Sequence, residues 1–306
     1  MLLFLFPSMQ LTFLGTSCMV PTKERNLPGV FLTYNNIGIL FDCGENIQRQ
    51  MNIAGIKRTK VDIILITHFH ADHMSGLIGL LQTISNEDNE KKIMLFGPEG
   101  TKQHMACLFK SCKFPRINIT IKELKPKGVE KFFETENFFL SCSKLDHSIP
   151  CLGYSFEEKE KIKISLEKAK KYGLKQGPIL GKIKQGKTII FKGKKIKPED
   201  ITYKVKGKKI TYIVDTLPCK NAIELAKDSD LLISEAVYTS SLEEKAREYK
   251  HLTAKQAAFI ANNANVKKLI LTHFSQRYKS TKEIEEDAKT YFNNVVCSYD
   301  FMKIKL

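Results

Sequence analysis

The sequence predicts an α/β fold in which chemistry-bearing residues collect beyond the ends of buried strands. Three observations carry this expectation. Short apolar runs alternate with segments of helical spacing over most of the chain. Residues 61–67, VDIILIT, are apolar enough for a strand buried on both faces. Strand after strand ends at a polar or ionisable residue, as open α/β sheets require where ligands bind beyond the strand ends.

In chain order, residues 10–15 and 30–34 read as strands, and Ile37–Phe41 reads as a buried strand running into Asp42-Cys43-Gly44. A helix over 45–54 stops at Gly55. The strand at 61–67 is followed by a helix at 74–83, a strand at 93–96, a helix at 100–109 and weaker strands at 117–124 and 137–143. Residues 157–209 break this rhythm with Lys-Ile alternation, Gly177-Pro178, repeated Gly-Lys and little apolar periodicity, so they read as an insertion or arm. Regular structure resumes with a strand at 210–214, a helix at 222–227, a strand at 231–234, a helix at 253–263 and a strand at Leu269–Thr272. The expected organisation is one domain over 1–306, with a basic arm inserted at about 157–200.

Composition narrows the class. The 306 residues are 42% hydrophobic and 27% charged, which excludes wholesale disorder and allows a sizeable core. The net charge of +16 is concentrated: residues 157–209 hold 18 lysines, no arginine and 6 acidic residues, a net +12. That segment suits a polyanionic partner, the bland alternative being a solvated lysine-rich loop. The eight cysteines are scattered, with no CxxC pair, and read as reduced, mostly buried thiols. The apolar run at residues 1–6 is too short to span a membrane and lacks the flanks of a secretory signal. The expectation is a soluble, cytoplasmic protein without membrane association, in which residues 1–8 precede a true start at Met9.

The run Thr67-His68-Phe69-His70-Ala71-Asp72-His73 places three imidazoles and a carboxylate directly after the buried strand. Imidazole nitrogen and carboxylate oxygen are the usual ligands of zinc-like ions. His68 and His70, two apart, can point to one side if strand geometry persists, while Asp72 and His73 can face a second ion from the turn into a helix. Four such residues have no packing purpose after an apolar strand. Farther along, His147 follows one expected strand, Asp215 ends another and His273 ends a third. Each alone would be an ordinary polar residue; together with the first loop they are candidate ligands. His104 lies on an amphipathic helix and reads as bland.

These residues resemble the metallo-β-lactamase superfamily, whose HxHxDH motif stands here at 68–73, followed in order by His147, Asp215 and His273. Within it the chain resembles the ribonuclease Z family. The narrower likeness rests on Phe13-Leu14-Gly15-Thr16, Pro21-Thr22-Lys23-Glu24-Arg25-Asn26, Phe41-Asp42-Cys43-Gly44-Glu45 and Gly97-Pro98. It continues in His251-Leu252-Thr253, Leu271 to Tyr278 and Tyr299-Asp300-Phe301, so it spans nearly the whole chain.

The resemblance implies a four-layer αββα sandwich with a protruding flexible arm. It implies two zinc ions per subunit, one on His68, His70 and His147, the other on Asp72, His73 and His273, with Asp215 bridging. Asp72 would also accept a proton from the attacking water, and Asp42 would support the histidine loop without binding metal. His251 would donate a proton to the leaving oxygen with Glu235 as its partner; against this, His251 reads as a residue at a helix start beside the cap candidate Thr253. The family often has His where this chain has Ser234. The implied substrate is precursor tRNA, clasped by the arm through Gly177-Pro178 and Lys182-Ile183-Lys184-Gln185-Gly186, in a homodimer whose arms serve each other's sites. Two rivals stand beside this: another hydrolase of the superfamily (phosphodiesterase, thioesterase, sulfatase or β-lactamase), and an RNA-binding subunit with a degenerate site. A small anionic substrate needs no lysine-rich arm, and all seven ligand positions hold competent residues.

Overall fold

The computed structural model describes residues 9–88, 90–112, 117–175 and 177–306; residues 1–8, expected to precede a start at Met9, lie outside them. The first half runs β1 (Met9–Gly15), β2 (Gly29–Tyr34), β3 (Ile37–Phe41), α1 (Ile47–Ile53), β4 (Ile63–Leu65), α2 (Ala71–Met74), α3 (Leu77–Glu87), β5 (Lys92–Gly97), α4 (Thr101–Ser111) and β6 (Asn118–Glu123). Then come β7 (Glu130–Glu134), β8 (Phe138–Lys144) and β9 (Leu152–Glu158). The lysine-rich segment contains β10 (Lys161–Ile164), α5 (Leu166–Lys171), α6 (Pro178–Lys184), β11 (Ile189–Phe191), β12 (Lys194–Ile196), α7 (Pro198–Ile201) and β13 (Thr202–Val205). The chain closes with β14 (Lys209–Ile213), α8 (Lys220–Ala226), β15 (Leu231–Glu235), α9 (Glu243–Glu248), α10 (Ala254–Asn263), β16 (Leu269–Thr272), α11 (Lys282–Lys289), β17 (Val295–Cys297) and β18 (Lys303–Lys305).

The chain divides into two compact units, one of residues up to 134, 140–156 and 209–306, the other of 135–139 and 157–208. The larger unit is built on two seven-stranded sheets, ordered β18-β1-β2-β3-β4-β5-β6 and β17-β16-β15-β14-β9-β8-β7. In the first, β3 to β6 are parallel. In the second, β14 to β17 are parallel. Parallel central strands must be covered on both faces, which is why Ile63, Ile64 and Leu65 are all at most 2% exposed. One cover is helical: Ile47 and Met51 of α1, Leu77, Leu80, Leu81 and Ile84 of α3 and Met105 of α4 pack on the first sheet. Residues of α8, α9, α10 and α11 form the corresponding cluster on the second. Between the sheets lies an aromatic layer, with Tyr34 against Phe156 at 5.1 Å and Phe41 against Tyr212 at 5.4 Å between ring centroids. This is the expected αββα sandwich. Among the described residues, no helix is long and apolar enough to cross a membrane.

Most expected elements are present with shifted ends. The strand expected over 61–67 is confined to Ile63–Leu65; at its C-terminal end the Thr67 N–H leaves the ladder and donates to the Asp42 carboxylate at 2.8 Å. Strands β7, β9, β17 and β18 and helices α9 and α11 were not expected from the sequence.

The smaller unit corrects the expectation of an unpatterned arm. β10 pairs with β13, and β11 pairs with β12 through a two-residue turn whose Lys192 and Gly193 both have positive φ, 50° and 75°. Ala169, Leu174, Leu180, Ile183, Ile196 and Ile201 form a core of their own, each at most 7% exposed. The lysines between them hide the apolar spacing. The unit spans residues 157–208, nearly the whole lysine-rich segment, and also takes in residues 135–139. Ile183→Ala should leave a void worth about 2–5 kcal/mol to this unit. Amide exchange should then accelerate across residues 161–205 and stay slow in β14 to β16; equal acceleration in both would contradict a separate core.

Candidate metal centre

The candidate residues sit where strands of the two sheets end. Asp42 follows β3, the His68–His73 loop follows β4, His147 lies between β8 and β9, Asp215 follows β14, Glu235 ends β15 and His273 follows β16. Asp42, Asp215 and His273 have φ of 55°, 56° and 59°. Left-handed backbone at a residue other than glycine costs energy and marks places where structure is spent on function. Gly44 lets the pieces close: a Cβ there would stand 2.4 Å from the Asp72 carbonyl oxygen.

Two groups of ligand atoms result. His68, His70 and His147 form the first, with His70 Nδ1 at 2.9 Å from His68 Nε2 and 3.3 Å from His147 Nε2. Asp72, His73 and His273 form the second, and Asp215 groups with His68 and His73. Asp215 Oδ2 lies 3.1 Å from His73 Nε2 and 3.7 Å from His273 Nε2, while its Oδ1 is 4.0 Å from His147 Nε2. Asp72 Oδ2 is 3.4 Å from His73 Nε2 and 3.5 Å from His273 Nε2. All seven expected ligands are thus brought together.

Their partners assign the ring tautomers. His73 Nδ1 donates to Asp42 Oδ2 at 2.8 Å, so Nε2 faces the centre and is the nitrogen left with a lone pair when the ring is neutral. His147 Nδ1 donates to the Lys250 carbonyl at 3.1 Å. The Thr67 hydroxyl donates to Asp42, so its oxygen accepts from His68 Nδ1 at 3.0 Å. Nε2 of His73 therefore faces the Asp215 and Asp72 carboxylates, and Nε2 of His68 and of His147 faces His70 Nδ1. Among the described residues, His73 Nε2, Asp215 Oδ2 and both ring nitrogens of His273 are buried and lie close to other polar atoms without well-aligned hydrogen bonds. Such a set of acceptors fits a cation, and a nitrogen-rich set of imidazoles and carboxylates suits a divalent one.

Electrostatics agree. Burial opposes charge on Asp215, but His273, His73 and His68 hold its pKa well below the usual carboxylate range. Burial also opposes charge on His73, and Asp215, Asp72 and Asp42 overcome it, lifting its pKa well above the ordinary value. His68 is held down by burial and by its neighbour His73. Protons on the imidazoles balance the carboxylates in the metal-free protein, and a bound cation displaces them.

Beside this cluster, His251 Nδ1 contacts Glu235 Oε2 at 2.9 Å and Asp215 Oδ1 at 3.3 Å. Burial lowers the His251 pKa, yet Glu235 and Asp215 raise it above the ordinary value overall. Glu235 is fully buried and also accepts from Thr216 N at 2.8 Å. The helix start is capped by Thr253, whose hydroxyl accepts from Gln256 N, so His251 is not needed as a cap. Ser234 donates to the Glu235 carbonyl at 3.1 Å. His104 stacks on Phe69 at 4.3 Å and so buttresses the histidine loop.

Sequence reasoning missed four supports. Thr67 and Tyr212 donate to Asp42, the Met19 N–H donates to Asp72 Oδ2 at 2.9 Å, and the Lys250 carbonyl fixes His147. The only local signal was the threonine closing an apolar strand.

Residues 9–169 match the family model described as Anti-Pycsar protein Apyc1. The chain is 37% identical to Ribonuclease Z of Archaeoglobus fulgidus, covering 97% of both chains. It is 38% identical to Ribonuclease Z of Methanothermobacter thermautotrophicus, again covering 97% of both. Its fold is similar to that of human tRNase Z, short form, with a TM-score of 0.70, 27% identity and coverage of 97% of this chain and 98% of that one.

Asp42→Asn would set an amide N–H₂ against donors from Thr67, His73 and Tyr212. It should cost about 1–3 kcal/mol of stability and lower metal affinity about 10–100-fold in chelator competition. Unchanged metal affinity would contradict the role given to this carboxylate.

Proposed function

The chain belongs to the ribonuclease Z family, and from that premise we propose that it is a zinc-dependent endoribonuclease cutting the 3′ trailer from precursor tRNA. The tRNA keeps a 3′-hydroxyl and the trailer leaves with the phosphate. The observation that carries this reading is the meeting of His73 Nε2, His273 Nε2, Asp72 Oδ2 and Asp215 Oδ2 beside the His251–Glu235 pair. The family model matches residues 9–169, whereas the ribonuclease Z relatives cover 97% of the chain, including the half that supplies Asp215, Glu235, His251 and His273.

The ligand set would hold two zinc ions, one on His68, His70 and His147 and the other on Asp72, His73 and His273, with Asp215 available to both. When bound, such a pair lowers the pKa of a water and neutralises charge growing on the phosphate. Asp72, held by the Met19 N–H, would orient the attacking water and accept its proton. His251 is held through Nδ1 by Glu235, which leaves Nε2 to protonate the departing 3′ oxygen. Its side chain is 13% exposed, so an RNA strand can reach it. The lysines of residues 157–208 bind the tRNA phosphates, and a homodimer lets this segment of one protomer serve the other's site.

A precursor tRNA with a 3′ trailer tests the reading by mapping of the cut; hydrolysis of small phosphodiesters without cleavage of the precursor would favour another hydrolase of the fold. His251→Ala should lower turnover by about 10²–10⁴ at unchanged metal content, and Glu235→Gln by less. Wild-type turnover in His251→Ala would return that residue to a structural role.

The segment 157–209 carries a net +12, so its loss should weaken RNA binding and its salt dependence together. Replacing residues 160–206 with a short turn should leave a folded sandwich whose precursor affinity is much reduced and whose log–log salt slope is flatter. An unchanged affinity and slope would show that RNA binds elsewhere.

A further inference from the structure

Lys250 stands between the candidate metal ligands and the candidate proton donor. It follows α9, and its φ of 55° is left-handed. Its own N–H donates to the Arg247 carbonyl, and the next N–H, of His251, donates to Ala246, a pairing that ends the helix and sets the course of His251. Its carbonyl accepts from His147 Nδ1 at 3.1 Å. The backbone of Lys250 is therefore fixed from both sides. The ammonium is held differently. It donates to Asp146 Oδ1 at 2.9 Å and approaches the His147 carbonyl at 3.5 Å, with Lys250 and Asp146 side chains 38% and 50% exposed.

An exposed ion pair of this kind contributes little, so the ammonium can change partner at small cost. It lies beside a cluster that otherwise offers lone pairs and carboxylates, and it reaches the cluster through the backbone oxygen of His147 rather than its ring. Resting on the endonuclease reading above, we propose that the Lys250 ammonium leaves Asp146 to bind an RNA backbone phosphate flanking the scissile one. Asp146 is then a competing anion that holds the lysine ready when no RNA is present. The rigid backbone sets where the ammonium can reach, and the flexible stem makes the exchange.

The test is steady-state cleavage of a precursor tRNA across a salt series, with metal affinity measured by chelator competition. Lys250→Met and Lys250→Gly, the latter free to keep the left-handed backbone, should each raise KM about tenfold and reduce the log–log salt slope by about one. Lys250→Arg should restore both, and Asp146→Asn should lower KM by removing the competitor. Unchanged KM and salt slope in the Met and Gly variants overturn the proposal. So does a loss of metal affinity in Lys250→Gly that accounts for its lower activity, since the side chain would then be holding His147 and not RNA. If the wild type fails to cut the precursor, the endonuclease reading falls and this inference with it; if the wild type cuts and only the variants behave like it, this inference alone falls.

Discussion

The carboxylate of Asp42 is the contact on which the rest of the centre depends. It is fully buried, follows a strand of the first sheet, and accepts from Tyr212, which belongs to a strand of the second. The same carboxylate accepts from the Thr67 backbone and hydroxyl and from His73 Nδ1. One buried anion thus ties two sheets together, turns the chain out of β4 and fixes which nitrogen of His73 faces the centre. A buried carboxylate is costly unless every oxygen is satisfied, and here donors from three segments satisfy it. Two further bonds cross between the sheets at the same level, Tyr154 to the Ile66 carbonyl and the Leu152 N–H to the Thr67 carbonyl.

The centre turns on a surplus of acceptors. Once His73 and His147 spend their Nδ1 protons on Asp42 and the Lys250 carbonyl, Nε2 of each faces carboxylates or another imidazole, an excess of acceptors wherever the rings are neutral. Burial excludes the water that would otherwise relieve this, and three left-handed residues at strand ends keep the groups from turning away. A bound cation would resolve the conflict, and His251, paired with Glu235 and 3.3 Å from Asp215, stands at its side.

Much of this was legible in the sequence, for physical reasons that can be traced. The histidine loop stood out because polar residues directly after a buried strand have nothing to pack against. His147, Asp215 and His273 were singled out because each is an ionisable residue at a strand end, where an α/β sheet gathers its ligands. Tyr212 was not, because its role lies 170 residues from its acceptor and nothing local marks it. Lys250 and Met19 act through backbone groups, which residue identity does not disclose. In the lysine-rich segment, Leu180 and Ile183 of one helix meet Ile196 and Ile201 from later elements, so the apolar pattern is tertiary and not periodic. The strand expected over 61–67 was too long; at its C-terminal end a side chain, Asp42, captures the Thr67 N–H.

Two cations sharing Asp215 would answer this surplus of acceptors. Crystals of the purified protein grown with zinc, with anomalous diffraction recorded on both sides of the zinc edge, test it most directly. Two anomalous peaks should flank the Asp215 carboxylate, one within bonding distance of His68, His70 and His147, the other of Asp72, His73 and His273. A single peak, or zinc bound away from Asp215 with these side chains hydrogen-bonded to one another, would contradict it.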